Sequence, residues 1–226
     1  MLRRLVVAGV LCGVLVGCSG EVRSEPAPST PTSVSDTAAQ EAAVAEAFAA
    51  YRTAVLAKDG QAVAGLLTAE SIEYYAAIKK LAMTAREPYL RQARVSDQLV
   101  VVKLRTSVPA ENLRRWSPSR LVVDAVERGD MNSASVQRMS SGEVDVAGDI
   151  GTVQLKVDGH DSPLSFTFYR EGGRWKFRLI PLLEATETAL RARMQEQHIT
   201  ERRLVDDQLA ATLTPEQIKA GWLPTG

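Results

Sequence analysis

The sequence predicts an α+β fold in which N-terminal helices pack on a four-stranded antiparallel meander, forming a cone or roll, followed by a C-terminal helical extension. Apolar residues recur at the helical period as far as Gly129, at a period of two after Met131, and at the helical period again beyond Pro181. Glycine-containing turns separate the segments of period two, as is typical of strands joined by hairpins. The chain therefore divides into a leader, a linker, an α+β domain and a C-terminal extension, at residues 1–17, 18–38, 39–181 and 182–226.

The first predicted helix runs from about Asp36 to Lys58. Its apolar residues fall on one stripe at helical spacing: Val44, Ala47, Phe48, Tyr51 and Val55. We expect this helix to end at Asp59-Gly60, because glycine readily adopts the left-handed conformation found at helix C-termini. A short helix from Gln61 to Leu67 follows.

Thr68 is a suitable N-cap for a third helix, since its hydroxyl can accept a hydrogen bond from a free backbone N–H of the first turn. The buried side of this helix is predicted to carry Tyr74, Tyr75, Ile78, Leu81 and Ala82. Three consecutive amphipathic helices need a sheet or further helices to cover their apolar faces.

The segment from Ser96 to Val108 fits either a strand or a helix. Its run Leu99-Val100-Val101-Val102-Lys103-Leu104 is rich in β-branched residues, which favours a strand. Its helical neighbours, and Ser96 as a possible N-cap, favour a helix, and we predict a helix. Pro109 then opens a short helix, and Ser117-Pro118 supplies an N-cap and a first-turn proline for the next one.

Four strands are predicted, at Val136–Val146, Gly151–Val157, Leu164–Arg170 and Arg174–Ile180. Alternate residues of the last three strands form an apolar face, made of Val153, Leu155, Val157, Leu164, Phe166, Phe168, Trp175, Phe177 and Leu179. The opposite face is polar and carries Thr152, Gln154, Lys156, Ser165, Thr167, Tyr169, Lys176 and Arg178. The helices are expected to cover the apolar face.

The C-terminal extension is predicted to be helical. One helix runs beyond Pro181 to about His198, and Thr200 caps a second that reaches about Leu213. Thr214-Pro215-Glu216-Gln217 is a capping-box pattern that opens a last short helix ending near Gly221.

The N-terminus has the parts of a secretory signal peptide: the basic Arg3-Arg4, an apolar run from Leu5, and a small residue, Gly17, before Cys18. The run is about thirteen residues long, whereas a membrane-spanning helix needs about twenty. The tetrad Leu15-Val16-Gly17-Cys18 resembles the lipobox of bacterial lipoproteins. An ordinary cleaved signal with an incidental cysteine is the alternative.

The lipobox resemblance implies cleavage between Gly17 and Cys18 and attachment of acyl chains to the Cys18 thiol. It implies a bacterial envelope location in which the membrane is a partner through the lipid on Cys18 and the domain is extracytoplasmic. In a Gram-negative organism this would be the outer membrane, with the domain facing the periplasm. Residues from Ser19 to about Ala38 are rich in Ser, Thr, Pro and Glu, which predicts a disordered spacer.

The composition excludes several classes of function. The chain has 27 basic and 27 acidic residues, so loss of Arg3 and Arg4 with the leader gives a net charge of −2, which predicts no nucleic-acid partner. Cys12 lies in the leader and Cys18 would carry lipid, so no disulfide is expected in the mature domain. With only two histidines and no spare cysteine, we predict no metal site and no cofactor.

Helices followed by a meander whose inner face they cover resemble the nuclear transport factor two-like (cystatin-like) α+β roll. The resemblance covers about Ala38 to Pro181 and rests on the helix Ala43–Lys58 with its end Lys58-Asp59-Gly60, and on the hairpin Phe166–Phe177. This superfamily contains isomerases, dehydratases, cyclases and non-catalytic binding modules, so the resemblance does not specify an activity. Its enzymes place acid, base or tyrosine groups between the helices and the concave face of the sheet.

The predicted cavity-lining residues are Tyr51, Tyr74, Tyr75, Phe166, Phe168 and Trp175. Alternation points no strand carboxylate inward, so we predict no catalytic residue and prefer a non-catalytic domain that binds an envelope protein or an apolar small molecule. The alternative is an isomerase- or dehydratase-like enzyme with a small apolar substrate, which the fold resemblance and the three helix tyrosines favour. A structural protein that dimerises through its sheet is a third hypothesis.

Asp158, His160 and Asp161 could bind a metal ion weakly, but Asp-Gly is also common turn chemistry, and we interpret this segment as a turn.

Overall fold

The described part of the protein is an α+β structure in which helices pack on an open four-stranded antiparallel sheet, as the sequence predicts. A computed structural model describes residues 34–131 and 133–225, apart from the side chains of residues 34, 35, 133 and 134. The predicted leader, Gly17, Cys18 and the linker up to residue 33 lie outside the described residues. The first helix begins at Val34, a few residues before the expected end of the linker.

Eleven helices are present in the described residues: α1 Val34–Leu56, α2 Gly60–Leu66, α3 Ala69–Thr84, α4 Glu87–Leu90, α5 Val95–Ser107, α6 Ala110–Arg115, α7 Pro118–Glu127, α8 Ser133–Arg138, α9 Leu179–Gln197, α10 Glu201–Leu209 and α11 Pro215–Gly221. The strands are β1 Met139–Ala147, β2 Ile150–Val157, β3 His160–Glu171 and β4 Arg174–Arg178, in the order β1-β2-β3-β4. The predicted meander is confirmed.

The third strand begins at His160 and not at the predicted Leu164, so His160 and Asp161 lie in β3 and not in the turn. Two other strand boundaries differ from the prediction because helices occupy those ends. Val136 was expected to open the first strand, but it lies in α8, and β1 begins at Met139. The last strand was expected to reach Ile180, but α9 begins at Leu179, directly after β4. Pro181 was expected to precede this helix and instead lies in its first turn, where a proline is tolerated because the backbone N–H has no partner in the helix.

The end of α1 corrects the predicted role of Gly60. The left-handed residue is Lys58, with φ of 56°, whereas Gly60 is the first residue of α2. A Cβ on Gly60 would lie 2.4 Å from the backbone oxygen of Val123. Gly60 is therefore required for the close approach of α2 to α7, and not for a left-handed turn.

The ambiguous segment after Ser96 is a helix, α5, as predicted. The helix is buried between α3, α9, α10 and α11, which all contact it, so its β-branched residues are covered on several sides. Ser96 does not cap it; the Ser96 N–H instead donates to Glu187 Oε2 of α9, at 3.0 Å. A carboxylate from a distant helix thus occupies the N-terminus of α5.

The side-chain caps predicted at Thr68, Ser117, Thr200 and Thr214 are confirmed, since each accepts a hydrogen bond from the backbone N–H three residues later. At Thr214 the capping box is complete, because Gln217 Oε1 also accepts from the Thr214 N–H at 2.8 Å. The second helix of the C-terminal extension ends at Leu209, earlier than the predicted Leu213.

The buried apolar residues form two clusters. The sheet-side core lies between the inner face of the sheet and α1, α2 and α7, and includes Val44, Phe48, Tyr51, Val153, Leu155, Phe166, Phe168, Trp175 and Phe177. The helical core surrounds α5 and includes Ile78, Leu90, Val101, Val102, Leu113, Leu204, Val205, Ile218 and Trp222. The C-terminal helices α10 and α11 therefore contribute fully buried side chains to the helical core.

Candidate functional site

The six predicted cavity-lining residues are divided between the two cores. Four lie in the sheet-side core: Tyr51, Phe166, Phe168 and Trp175. Tyr74 lies in the helical core, and Tyr75 packs against both cores. The six residues are therefore found in two environments and not around one cavity.

Aromatic rings fill the space between the helices and the inner face of the sheet. Phe166 and Phe177 stack with ring centroids 4.4 Å apart, and Tyr51 lies against both rings, at 5.9 Å and 4.8 Å. Phe48 and Phe168 extend the same cluster. The contact of α1 with the sheet is equally close, because a Cβ on Gly151 would lie 2.5 Å from Val44 Cγ2. Because the rings are in contact with one another, the space between α1 and the sheet is a packed core.

The hydroxyls of Tyr51 and Tyr74 are both engaged. Tyr51 Oη donates to Met131 Sδ at 3.8 Å, and Tyr74 Oη donates to Asp97 Oδ1 at 3.0 Å. Burial raises the pKa of both hydroxyls, and for Tyr74 the negative charge of Asp97 raises it further. Both side chains are therefore protonated donors at neutral pH, as expected of core tyrosines.

Tyr75 lines a pocket between α3, α5 and α7, at the boundary of the two cores. The pocket has a volume of about 110 Å³. Its wall is mainly apolar and consists of Tyr75, Ile78, Val100, Leu104, Leu121, Ala125 and Met131. An apolar cavity of similar size, about 150 Å³, is large enough to hold benzene. The pocket thus suits a small apolar group rather than a large ligand.

Three charged residues, Lys103, Arg128 and Asp130, complete the lining. Asp130 accepts from both cations: Lys103 Nζ lies 3.1 Å from its Oδ1, and Arg128 Nη2 lies 2.7 Å from its Oδ2. Arg128 also pairs with Asp124 of α7. The Asp130 carboxylate is thus held between two cations.

The Tyr75 hydroxyl can act as a hydrogen-bond donor to a ligand. Burial, together with the nearby charge of Asp130, raises the pKa of Tyr75 to about 12, so the hydroxyl is protonated at neutral pH. Among the described residues this hydroxyl has no hydrogen-bond partner. The pocket therefore offers apolar walls, one phenol donor and a closed ion-pair network.

The other polar clusters singled out in the sequence have structural partners. Asp158 is in the predicted turn with φ of 52°, and its carboxylate accepts from Arg138 Nε at 2.8 Å. Hydrogen bonding from Arg138 lowers the pKa of Asp158. Asp161 lies 3.6 Å from Lys156 Nζ. In the described ranges no group of three histidine, cysteine or acidic side chains is placed to hold a metal ion.

Sequence reasoning did not identify Lys103, Arg128 and Asp130 as site residues. Lys103 had a visible signal, because it is the single charged residue in the run Leu99–Leu104. Arg128 and Asp130 flank Gly129 just after α7, and charged residues are common at the end of a helix, so their sequence position does not indicate a site. Their meeting with Lys103 depends on the packing of α7 against the rest of the helical core, which local pattern does not specify.

No protein-family model, curated protein or solved structure matches this chain. In the part of the chain that the structure describes, no helix is both long enough and apolar enough to cross a membrane.

Proposed function

We propose that this protein is a bacterial lipoprotein, held at the outer side of a cell-envelope membrane by acyl chains on Cys18, whose folded domain binds a protein partner or a small apolar molecule without catalysis. The observation that supports the anchor is the tetrad Leu15-Val16-Gly17-Cys18 at the end of a short apolar run. A diacyl or triacyl group is needed for stable attachment, because each buried methylene contributes about 0.8 kcal/mol and one chain alone holds only marginally.

The pocket at Tyr75 supports the binding part of the proposal. Its apolar wall suits a small hydrocarbon group, and the protonated Tyr75 hydroxyl suits a carbonyl or ether oxygen on that group. Asp130 of the same lining is paired with Lys103 and Arg128. A binding role needs no more than these features, whereas acid–base catalysis needs a group that exchanges protons near neutral pH.

The anchor is tested by intact mass and membrane fractionation of the full-length protein expressed in a bacterium. We expect a diacyl or triacyl mass on a chain that begins at Cys18, in the membrane fraction. Cys18→Ser should abolish both the acyl mass and cleavage at Gly17, whereas the matched Cys12→Ser variant should behave like the wild type. A soluble, unmodified wild-type chain would overturn the anchor and leave a diffusible secreted protein.

The pocket is tested with benzene and phenol as probes, by NMR of methyl-labelled protein. Both probes should shift the Met131 methyl signal, and phenol should bind more tightly because its oxygen can accept from Tyr75. Ala125→Leu should fill the pocket and abolish the shifts. Ala192→Leu, an exposed change on α9, is the matched control and should leave them intact. Shifts that persist in Ala125→Leu would exclude this pocket as the binding site.

An isomerase- or dehydratase-like enzyme is the second candidate, because the pocket brings Tyr75 and Asp130 together. Such chemistry removes a proton from carbon next to a carbonyl. It is tested by following deuterium incorporation into butan-2-one in D₂O by NMR. Exchange that requires both Tyr75 and Asp130, and is retained in Tyr74→Phe outside the pocket, would favour the enzyme over the binding domain. Exchange at the uncatalysed rate would favour binding.

A further inference from the structure

The positive charge of the domain is concentrated in one part of the chain. Residues 77–120 contain ten lysines and arginines against three acidic residues, a net charge of +7. The remainder of residues 34–225 contains 14 basic residues against 22 acidic ones. The near-zero net charge of the whole chain therefore conceals two regions of opposite sign.

Five of these ten cations are occupied by contacts within the fold. Arg94, Lys103 and Arg120 pair with Asp97, Asp130 and Glu127. Arg105 and Lys79 donate to backbone carbonyls. The other five are exposed and, among the described residues, have no carboxylate within ion-pair distance: Lys80, Arg86, Arg91, Arg114 and Arg115. Lys80, Arg86, Arg114 and Arg115, together with Tyr89, are called the basic face.

A shared groove and a pair of hydrogen bonds place Lys80, Arg86, Tyr89 and the end of α6 beside α3. Lys80, Arg86 and Tyr89 line the same groove, at the C-terminal end of α3. In the same helix, Lys79 Nζ donates to the carbonyl of Arg114 at 3.3 Å and to that of Trp116 at 2.6 Å. The bond holds the end of α6, with its exposed arginines, against the helix turn that carries Lys80.

Tyr89 adds an apolar and aromatic element to this surface. Its side chain is 61 % exposed, the highest value among the large apolar residues described. The floor of the groove beside it includes Ala77, Leu81 and Ala85. Tyrosine is enriched at membrane–water interfaces because its ring is apolar and its hydroxyl is polar. A ring of this kind among unpaired cations is the combination that an anionic bilayer surface attracts.

We propose that the basic face docks on a bilayer surface containing anionic phospholipids, with its four cations at the headgroups and Tyr89 at the interface. The inference extends the proposed function, on which it rests only for the presence of a membrane near the domain. The binding energy comes from the basic face and not from the acyl chains, so the two can be tested separately.

The test uses the mature chain, residues 18–226, with Cys18→Ser, so that it lacks acyl chains but contains both cores. Its sedimentation is measured with vesicles of phosphatidylcholine alone and with vesicles containing 30 % phosphatidylglycerol. We expect binding to the anionic vesicles, no binding to the neutral ones, and release by salt as charges are screened. Failure of acylation in the full-length protein would leave this result unchanged, which distinguishes the two proposals.

Substitution of Lys80, Arg86, Arg114 and Arg115 by Gln should weaken binding to the anionic vesicles at least tenfold. Each basic residue near an anionic surface contributes a factor of roughly five, and not all four need touch headgroups at once. The matched control replaces four exposed cations elsewhere, Lys58, Arg174, Arg193 and Lys219, by Gln, which changes the net charge equally. Equal loss in both variants, or no binding by the parent chain, would overturn the proposal.

Tyr89→Ala tests the aromatic part without a change in charge. It should reduce binding to anionic vesicles several-fold, whereas Ile150→Ala, at an exposed apolar residue of β2, should not. Parent-chain binding to single-stranded DNA with no binding to vesicles would also overturn the proposal. It would identify the basic face as a polyanion site unrelated to lipid.

Discussion

The sheet-side core and the helical core differ in what they bury besides apolar side chains. In the sheet-side core, stacked and edge-to-face aromatic rings fill the interior. The helical core contains buried polar groups on α5 and on the adjacent α9: Ser96, Asp97, Gln98, Arg105 and Glu187. The first core is held by shape and apolar area, and the second also depends on hydrogen bonds between buried polar groups.

Arg105 and Glu187 show what the polar groups of the helical core achieve. Arg105 donates to the carbonyls of Leu81, Ala82 and Ala85 at the end of α3, and to that of Gly221 at the end of α11. Burial lowers the pKa of Arg105 to about 10, which leaves the guanidinium charged at neutral pH. Glu187 accepts from the N-terminus of α5. These contacts join helix ends that are far apart in sequence, so they specify which helices meet.

The sheet-side core should give the largest loss of stability when a ring is removed. Phe177→Ala removes a fully buried ring that contacts Tyr51, Phe166 and Phe168. We expect the free energy of unfolding to fall by about 4 kcal/mol, equally at pH 7 and pH 5, measured by urea denaturation. Leu223→Ala, at an exposed residue, should change it by less than about 0.5 kcal/mol. A loss for Phe177→Ala below about 1.5 kcal/mol would show that this core is loosely packed.

The helical core should respond next most strongly, to the loss of Arg105. Arg105→Met keeps the aliphatic volume but removes the guanidinium donor from four carbonyls, two of which, those of Ala85 and Gly221, have no other donor among the described residues. It should cost about 3 kcal/mol in urea denaturation. The matched change Arg115→Met, at an exposed arginine, should cost less than about 0.5 kcal/mol. If Arg105→Met proved as stable as the wild type, apolar packing alone would hold both cores and the contrast between them would fail.

The contrast between the cores also decides how much of the fold the sequence could predict. The alternation of Val153 and Leu155 with Thr152 and Gln154 assigns the two faces of β2 without any tertiary information. No comparable period predicts that Arg105 meets Gly221, because that contact depends on the path of α9 and α10 between them. The predicted strand boundary is wrong where a helix follows a strand directly, as at Leu179.

The candidate site was only partly predictable for the same reason. Tyr75 could be proposed from its place on the buried stripe of α3. Its partners at the pocket, Lys103 and Asp130, belong to α5 and to the turn after α7, and their ion pair forms only when those helices pack together. The excess of cations in residues 77–120 can be counted from the sequence, although the balanced total charge conceals it. Which of those cations are paired can be decided only from the structure.

The helical core should also be the more sensitive of the two to acid, through Glu187. Burial of this carboxylate acts to raise its pKa, but the backbone N–H groups of Ser96 and Val95 and the charge of Arg191 lower it more, so the net pKa is lowered. Its contribution is therefore present above the unfolded-state pKa, about 4.3, and is lost as pH falls through the lower folded-state value. Glu187→Gln should cost about 2 kcal/mol at pH 7.

The difference between wild type and Glu187→Gln in urea denaturation should shrink as the pH is lowered to about 3.5. Glu196→Gln, at an exposed position of the same helix, is the matched control and should differ little from the wild type at either pH. An equal cost for Glu187→Gln at both pH values would show that the charge of Glu187 does not stabilise the end of α5.

Two adjacent tyrosines provide the smallest and most closely matched comparison. Tyr74→Phe removes only the hydroxyl that donates to Asp97 at 3.0 Å in the helical core, while Asp97 keeps its contact with Arg94 at 3.0 Å. We therefore expect a loss of about 1 kcal/mol in the free energy of unfolding, the usual cost of one buried hydrogen bond. Tyr75→Phe, whose hydroxyl has no partner among the described residues, should leave the stability within about 0.5 kcal/mol of the wild type. Equal losses in both variants would mean that the hydrogen bond from Tyr74 to Asp97 adds no stability to the helical core.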